Sequence, residues 1–265
     1  MNEMKKLLEV MARLRDPNTG CPWDLAQDYR SIAPCTIEEA YEVVDAIERG
    51  EMDDLCDELG DLLFQIVFYA QVASEEGRFD FSQVADQIAE KLIRRHPHVF
   101  DDAVRAADAD RDHQITWEQI KARERRDKGI STAPAGALHG VAVTLPALTR
   151  AVKLQKRAAH VGFDWPEVSQ VLDKVAEELD EVREVLDQQQ GQQRMQHEIG
   201  DLLLAVSNLA RHASIDPETA LREANQRFER RFSHVEALCV EQGLATESAG
   251  LEVLEAMWQQ VKLAE

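Results

Sequence analysis

Cysteine, proline, basic charge and long apolar runs are all scarce in this chain, and each scarcity excludes something. The four cysteines, Cys21, Cys35, Cys56 and Cys239, form no Cys-x-x-Cys pair and no disulfide-like rhythm. They read as reduced thiols of a cytoplasmic protein and argue against a structural zinc site. Thirty Lys and Arg stand against fifty Asp and Glu, a net charge of −20. That leaves no basic face for nucleic acid or an acidic membrane, although a small polyanion can still be held in a local basic pocket. No stretch approaches the roughly 20 apolar residues of a membrane span. Met1-Asn2-Glu3-Met4-Lys5-Lys6 has no apolar core behind it, so no signal peptide is expected.

Proline occurs at only eight of 265 positions, and the long runs between carry helical periodicity. Leu59, Leu62, Leu63, Ile66, Val67 and Ala70 follow i, i+3, i+4, i+7 spacing, as do Ile199, Leu202, Leu203, Val206 and Leu209. No segment alternates like a strand. The chain is expected to be all-α. Thr36-x-x-Glu39, after Pro34, has the form of a capping box opening a helix. Arg49-Gly50-Glu51 and Gln188-Gln189-Gln190-Gly191 read as short turns between antiparallel helices.

What the chain does have is an acidic pattern written twice. Glu38-Glu39-x-x-Glu42 precedes Glu58-x-x-Asp61, and Glu177-Glu178-x-x-Glu181 precedes Glu198-x-x-Asp201. Other landmarks repeat in the same order. Lys91-x-x-Arg94-Arg95-x-x-His98-Val99 parallels Arg227-x-x-Arg230-Arg231-x-x-His234-Val235. Trp117-Glu118-Gln119-Ile120-Lys121 parallels Trp258-Gln259-Gln260-Val261-Lys262, and Gly20-Cys21-Pro22-Trp23 parallels Gly162-Phe163-Asp164-Trp165. Such self-similarity indicates a tandem duplication of a small helical bundle. The expected domains are residues 1–122 and 145–265, with 123–144 as linker.

Residues three or four apart on a helix share a face. Glu178 with Glu181, and Glu198 with Asp201, therefore converge if their helices pack antiparallel. So do Glu39, Glu42, Glu58 and Asp61. Four carboxylates brought together repel one another, and a hard divalent cation relieves that repulsion. An all-oxygen set suits Mg²⁺ or Mn²⁺. A single Glu-Glu-x-x-Glu would be an ordinary solvated face; pairing and repetition argue otherwise. Gly60 and Gly200 sit inside the acidic helices at a cost of about 1 kcal/mol each, which suggests close helix approach beside a metal. A di-iron bundle needs Glu-x-x-His pairs that neither helix supplies. No P-loop and no local Ser-His-Asp or Cys-His arrangement occurs. Around the second cluster, Lys153, Lys156, Arg157, Arg227 and Arg231 offer cations for phosphate oxygens. His96-Pro97-His98 reads as a helix terminator.

Nearly the whole chain resembles the MazG family of tandem-domain nucleoside triphosphate pyrophosphohydrolases. The strings that carry this are Gly20-Cys21-Pro22-Trp23-Asp24, Glu38-Glu39-x-x-Glu42, Glu58-Leu59-Gly60-Asp61-Leu62-Leu63-Phe64-Gln65, Arg94-Arg95-His96-Pro97-His98-Val99-Phe100 and Val161-Gly162-Phe163-Asp164-Trp165. The resemblance implies two all-α helical-bundle domains, each contributing to a dimeric bundle, in a homodimer with Mg²⁺ as cofactor. It implies conversion of nucleoside triphosphates to monophosphate and pyrophosphate with broad base tolerance. By motif position, Glu178, Glu181, Glu198 and Asp201 would ligate the metal, with Glu39, Glu42, Glu58 and Asp61 as a second set. Lys174 and Glu177 would line the nucleotide site, Arg227 and Arg231 would contact phosphates, and Trp258 would pack near the nucleoside. Glu177 and Glu181 are the candidates to activate water. Cys35 replaces Lys174 in the first half, and Arg13 and Arg15 are its nearest equivalents of the Lys153–Arg157 cations. The second half is therefore expected to carry most turnover, the first being structural, regulatory or weak. A nucleotide-binding sensor with little turnover, or a helical scaffold without Mg²⁺ dependence, is the alternative.

Overall fold

A computed structural model describes residues 2–101 and 136–264. The repeat landmark at Trp117–Lys121 and residues 123–135 of the expected linker lie outside the described residues. The chain divides into two compact units, Met1–Lys128 and Gly129–Glu265. Every element among the described residues is helical.

The first unit runs α1 (Asn2–Leu14), α2 (Pro22–Ala26), α3 (Ala33–Arg49), α4 (Met52–Glu75), α5 (Phe81–Arg95) and α6 (Pro97–Phe100). The acidic helices α3 and α4 are joined by a left-handed Gly50 (φ 74°) whose amide bonds back to the carbonyls of Ala46 and Ile47. Glycine carries positive φ without steric cost, so the chain reverses at once and α4 packs back along α3. Met11, Ile32, Val67, Phe68 and Val72 form the core. Arg15 is buried against it, bonding Asp24 O, Gln27 O (3.2 Å) and Glu75 (2.8 Å). This cation ties α1, the loop around α2 and the end of α4 together.

The second unit runs α7 (Ala147–Ala159), α8 (Val168–Gln188), α9 (Gln192–His212), α10 (Pro217–Glu241), a 3₁₀ turn (Thr246–Ser248) and α11 (Leu251–Ala264). The acidic pair α8 and α9 is joined through Gln189 in the left-handed conformation (φ 51°) and Gly191 (φ 93°). Val235, Cys239, Met257 and Val261 close a core between α10 and α11.

Two sequence expectations are corrected. Thr36 does not cap α3. Pro34 fits the first turn, where no amide hydrogen is needed, so the helix starts at Ala33 with Ile32 as N-cap and no side-chain cap. Thr36 then falls one turn inside; its hydroxyl reaches Ile32 O (3.4 Å) and Tyr69 Oη (2.8 Å). A true capping box opens α5, where Asp80 and Gln83 exchange hydrogen bonds. Nor do Gly60 and Gly200 mark close helix approach, because a Cβ at either would meet nothing within 4 Å. His96 does end α5, as expected, with Pro97 opening α6; in the second unit α10 runs unbroken through Arg231 and His234.

Candidate metal centre and adjoining cavity

Along α8, Val171, Glu178 and Val185 are the buried residues, spaced by sevens, so the row that makes the core contact carries a carboxylate at its middle. Glu198 occupies the facing position on α9 and is only 1 % exposed. A glutamate buried to that degree needs a partner, because a desolvated carboxylate is costly. Glu178, Glu198 and Asp201 each offer an oxygen within 4.8 Å of the others. Lys174 Nζ lies 2.8 Å from Glu178 and 2.9 Å from Glu177, and those hydrogen bonds, Glu178's first, push its ammonium pKa upward. Arg194 Nη2 stands 2.6 Å from Glu198 Oε1, an ion pair between a half-exposed arginine and the buried carboxylate. Glu181 lies against the same group. Its carboxyl is held above the usual range by a hydrogen bond to Glu198, then by burial and by the charges of Glu178 and Glu198.

A hard divalent cation fits this donor set. Three carboxylates converge, and all the ligand atoms are oxygen. Glu177 is exposed and turned to Lys174, outside the convergent triad.

The first unit repeats the arrangement in weaker form. Glu39, Glu42 and Glu58 come within 4.8 Å of one another. Burial, then neighbouring Asp61 and Glu42, raises the Glu39 carboxyl; burial, then Glu42 and Asp61, raises that of Glu58. None of the three is fully buried, in contrast to Glu178 and Glu198.

A cavity of about 170 Å³ opens beside the second cluster, with Lys174, Glu178 and Asp201 in its lining. Residues of α7, α9 and the stretch 163–165 complete the lining, and four of its polar residues were not anticipated as site residues: Gln155, Asp164, Asn208 and Arg211. Arg211 donates from Nε to Asn208 Oδ1 (2.8 Å) and from its Nη atoms to Asp164, and His212 Nε2 lies 3.0 Å from Asp164. The Arg211 guanidinium, then His212, holds the Asp164 carboxyl below the usual carboxylate range. The available signal was position: Asn208 stands seven residues after Asp201, and Arg211 three further on, on the α9 face that begins with Glu198.

The expected phosphate-contacting group assembles elsewhere. Arg231 lies over the Trp258 ring at 5.9 Å, Phe228 packs on Trp258 at 5.3 Å, and Arg227 is 3.8 Å from Glu223. Among the described residues, none of Arg227, Arg231 and Trp258 lines the cavity.

The sequence matches the MazG nucleotide pyrophosphohydrolase domain twice, over residues 27–100 and 167–236. A nucleoside triphosphate pyrophosphohydrolase of Escherichia coli K12 is 52% identical over 266 residues, covering 100% of this chain and 99% of the relative. The Thermotoga maritima nucleoside triphosphate pyrophosphohydrolase/pyrophosphatase MazG is 39% identical over 258 residues, covering 97% of this chain and 95% of that protein. Both matched stretches contain the paired acidic helices, with Glu39, Glu42, Glu58 and Asp61 in one and Glu178, Glu181, Glu198 and Asp201 in the other, so the chain belongs to the MazG nucleotide pyrophosphohydrolase family and carries its domain in two tandem copies.

Proposed function

We infer that the protein is a nucleoside triphosphate pyrophosphohydrolase that cleaves between the α and β phosphates, and that its working site is the cluster on α8 and α9. The observation that carries this reading is Glu198, an almost fully buried carboxylate that converges with Glu178 and Asp201. Glu178, Glu198 and Asp201 would hold Mg²⁺, which when bound neutralises charge on the triphosphate oxygens. Lys174 stands at the edge of the cluster and adds a cation for the developing charge. Water attacks the α-phosphorus, the bond to the bridging oxygen breaks, and pyrophosphate leaves. Glu181 is the better placed base: it lies against Glu198, whereas Glu177 is exposed and engaged by Lys174. The first unit is the lesser site, since its carboxylates are more exposed and Cys35 stands where Lys174 would be.

The same reading makes the enzyme a homodimer of the cytoplasm. No helix among the described residues is long and apolar enough to cross a membrane, and all four cysteines are free. Leu172, Leu179 and Leu186 form a heptad-spaced exposed row on α8, beside the buried row, and Ile199, Leu203 and Val206 are exposed on α9. An apolar stripe of that extent on a soluble helix pair suits a second copy of the chain. The double variant Leu172→Glu, Leu179→Glu is expected to sediment as monomer at concentrations where the native protein is a dimer; an unchanged sedimentation coefficient would rule out this face.

Product identification tests the activity. Incubation with a panel of nucleoside triphosphates and Mg²⁺ is expected to yield pyrophosphate and monophosphate. Orthophosphate would place the cleavage at the γ position, and no product would leave a binding protein.

A further inference from the structure

The two buried carboxylates of the second unit each have a cation four residues earlier on their own helix. Lys174 precedes Glu178 on α8 with Nζ at 2.8 Å, and Arg194 precedes Glu198 on α9 with Nη2 at 2.6 Å. Local helix physics favours neither placement. A cation N-terminal to its anion at i, i+4 is the weaker of the two orders. Arg194 also sits in the first turn of α9, where the helix dipole disfavours positive charge and Gly191 supplies no side-chain cap. Its partner is the buried carboxylate: the Glu198 side chain is 1 % exposed, the Arg194 side chain 53 %. Because α8 and α9 turn back on each other within a few residues, the two cations flank the cluster from opposite sides. Lys174 lines the cavity, and Arg194 lies outside its lining.

The first unit has neither cation at these positions. Four residues before Glu39 stands Cys35, and four before Glu58 stands Asp54. Asp54 is turned to Arg49 at 2.9 Å. Its charge helps to hold the Glu58 carboxyl above the usual range, after burial and the charges of Glu42 and Asp61. The first cluster relieves its repulsion by exposure, whereas the second carries cations of its own.

We propose that Arg194 is the resident counter-ion of Glu198 and makes binding of the divalent cation depend on the triphosphate. The inference rests on the pyrophosphohydrolase reading above. The three carboxylates of the triad are met by two cations, so free Mg²⁺ finds little net attraction and competes with a guanidinium for Glu198. A triphosphate carrying Mg²⁺ brings anionic oxygens with it. Those oxygens give the displaced cations new partners, and the guanidinium fork suits phosphate in particular. Being half-exposed, Arg194 can turn away without opening the core. It is a positioning residue, and the site loads its metal with substrate rather than ahead of it.

The test is calorimetry in a Glu58→Gln background, so that the second cluster dominates the signal. Two probes are used: Mg²⁺ alone, and the preformed Mg²⁺ complex of α,β-methylene ATP, which resists cleavage at that bond. With Arg194 in place, the complex is expected to bind more tightly than the free ion. Arg194→Gln should tighten free Mg²⁺ about tenfold, the scale on which a charge within roughly 4–6 Å shifts an ionic equilibrium, and should not tighten the complex. Arg194→Lys keeps the charge and should stay close to the parent on both probes. A merely structural arginine would lower the unfolding temperature without raising Mg²⁺ affinity. Unchanged or weaker binding of free Mg²⁺ by Arg194→Gln, or equal tightening of both probes, overturns the proposal. So does a site with Arg194 in place that binds free Mg²⁺ as tightly as the complex, a result that needs no variant at this position. Failure of pyrophosphate release by the native protein would instead overturn the parent reading and leave these binding measurements standing.

Discussion

Replacing Glu198 with glutamine is expected to lower pyrophosphate release by about 10³-fold while leaving the protein folded. The rate estimate follows from what loss of one pre-positioned electrostatic group costs in other active sites. Glu198 is the most buried member of the triad, and its Oε1 is paired with Arg194 at 2.6 Å, a contact that glutamine keeps as a neutral one. Its exchange for a neutral amide of the same shape removes a charge without opening a hole. It also relieves the crowding that raises the Glu181 carboxyl, since the hydrogen bond and the charge of Glu198 are both among its causes. Weakening of the Arg194 pair and relief of that crowding oppose each other, so the metal-free variant should stay within about 1 kcal/mol of the native stability, which separates a binding role from a structural one. Steady-state pyrophosphate release and thermal unfolding without divalent cation are the two measurements. A parallel Glu58→Gln variant is expected to keep most of the native rate; equal losses from the two would assign turnover to both units.

Phe68→Ala is expected to remove about 3–5 kcal/mol from the stability of the first unit. The side chain sits in the centre of the core, edge-on to Phe64 at 5.9 Å and beneath Arg15. Truncation leaves a void among residues held by α1, α4 and the loop after Tyr29, and it removes the ring on which the Arg15 guanidinium rests. Arg15 has its own anchors in Asp24, Gln27 and Glu75, so the pocket walls cannot easily collapse inward. Denaturant unfolding reads the loss directly. Below the lowered transition, pyrophosphate release should stay near native, because the carboxylates proposed to do the work all belong to α8 and α9. A fall in rate matching the fall in stability would make the first unit part of the active assembly.

Much of this was legible in the sequence, for identifiable reasons. Helical periodicity and sparse proline specify the all-α fold, and a turn at Gly50 needs only one residue able to adopt positive φ. The carboxylates were legible because spacing on a helix dictates which side chains share a face, and the duplication supplied a second instance. Thr36 was misread because a capping box is a local pattern, and Pro34 lets the helix begin four residues earlier. Gly60 and Gly200 were misread because glycine signals room without saying which molecule uses it. Gln155, Asn208 and Arg211 gave no motif at all. A single amide on a helix looks like surface, and its meaning arises only when α7, α9 and the Val161–Trp165 loop enclose it. Arg227, Arg231 and Trp258 were legible as a cationic and aromatic group, and they do gather, but around one another on α10 and α11.

The Asp164–Arg211 pair has a consequence for how the second unit responds to ionic strength. Its side chains are 28% and 11% exposed, and it is braced by Asn208 and His212. Dissolved ions screen exposed charges over a distance that shrinks from about 10 Å at 0.1 M to 3 Å at 1 M, and they act far less on enclosed pairs. The tie between residue 164 and α9 is thus insulated from salt, whereas the exposed i, i+4 pairs on the outer helix faces are not. Raising salt is expected to leave the loop at residues 161–165 docked on α9 while those surface pairs weaken.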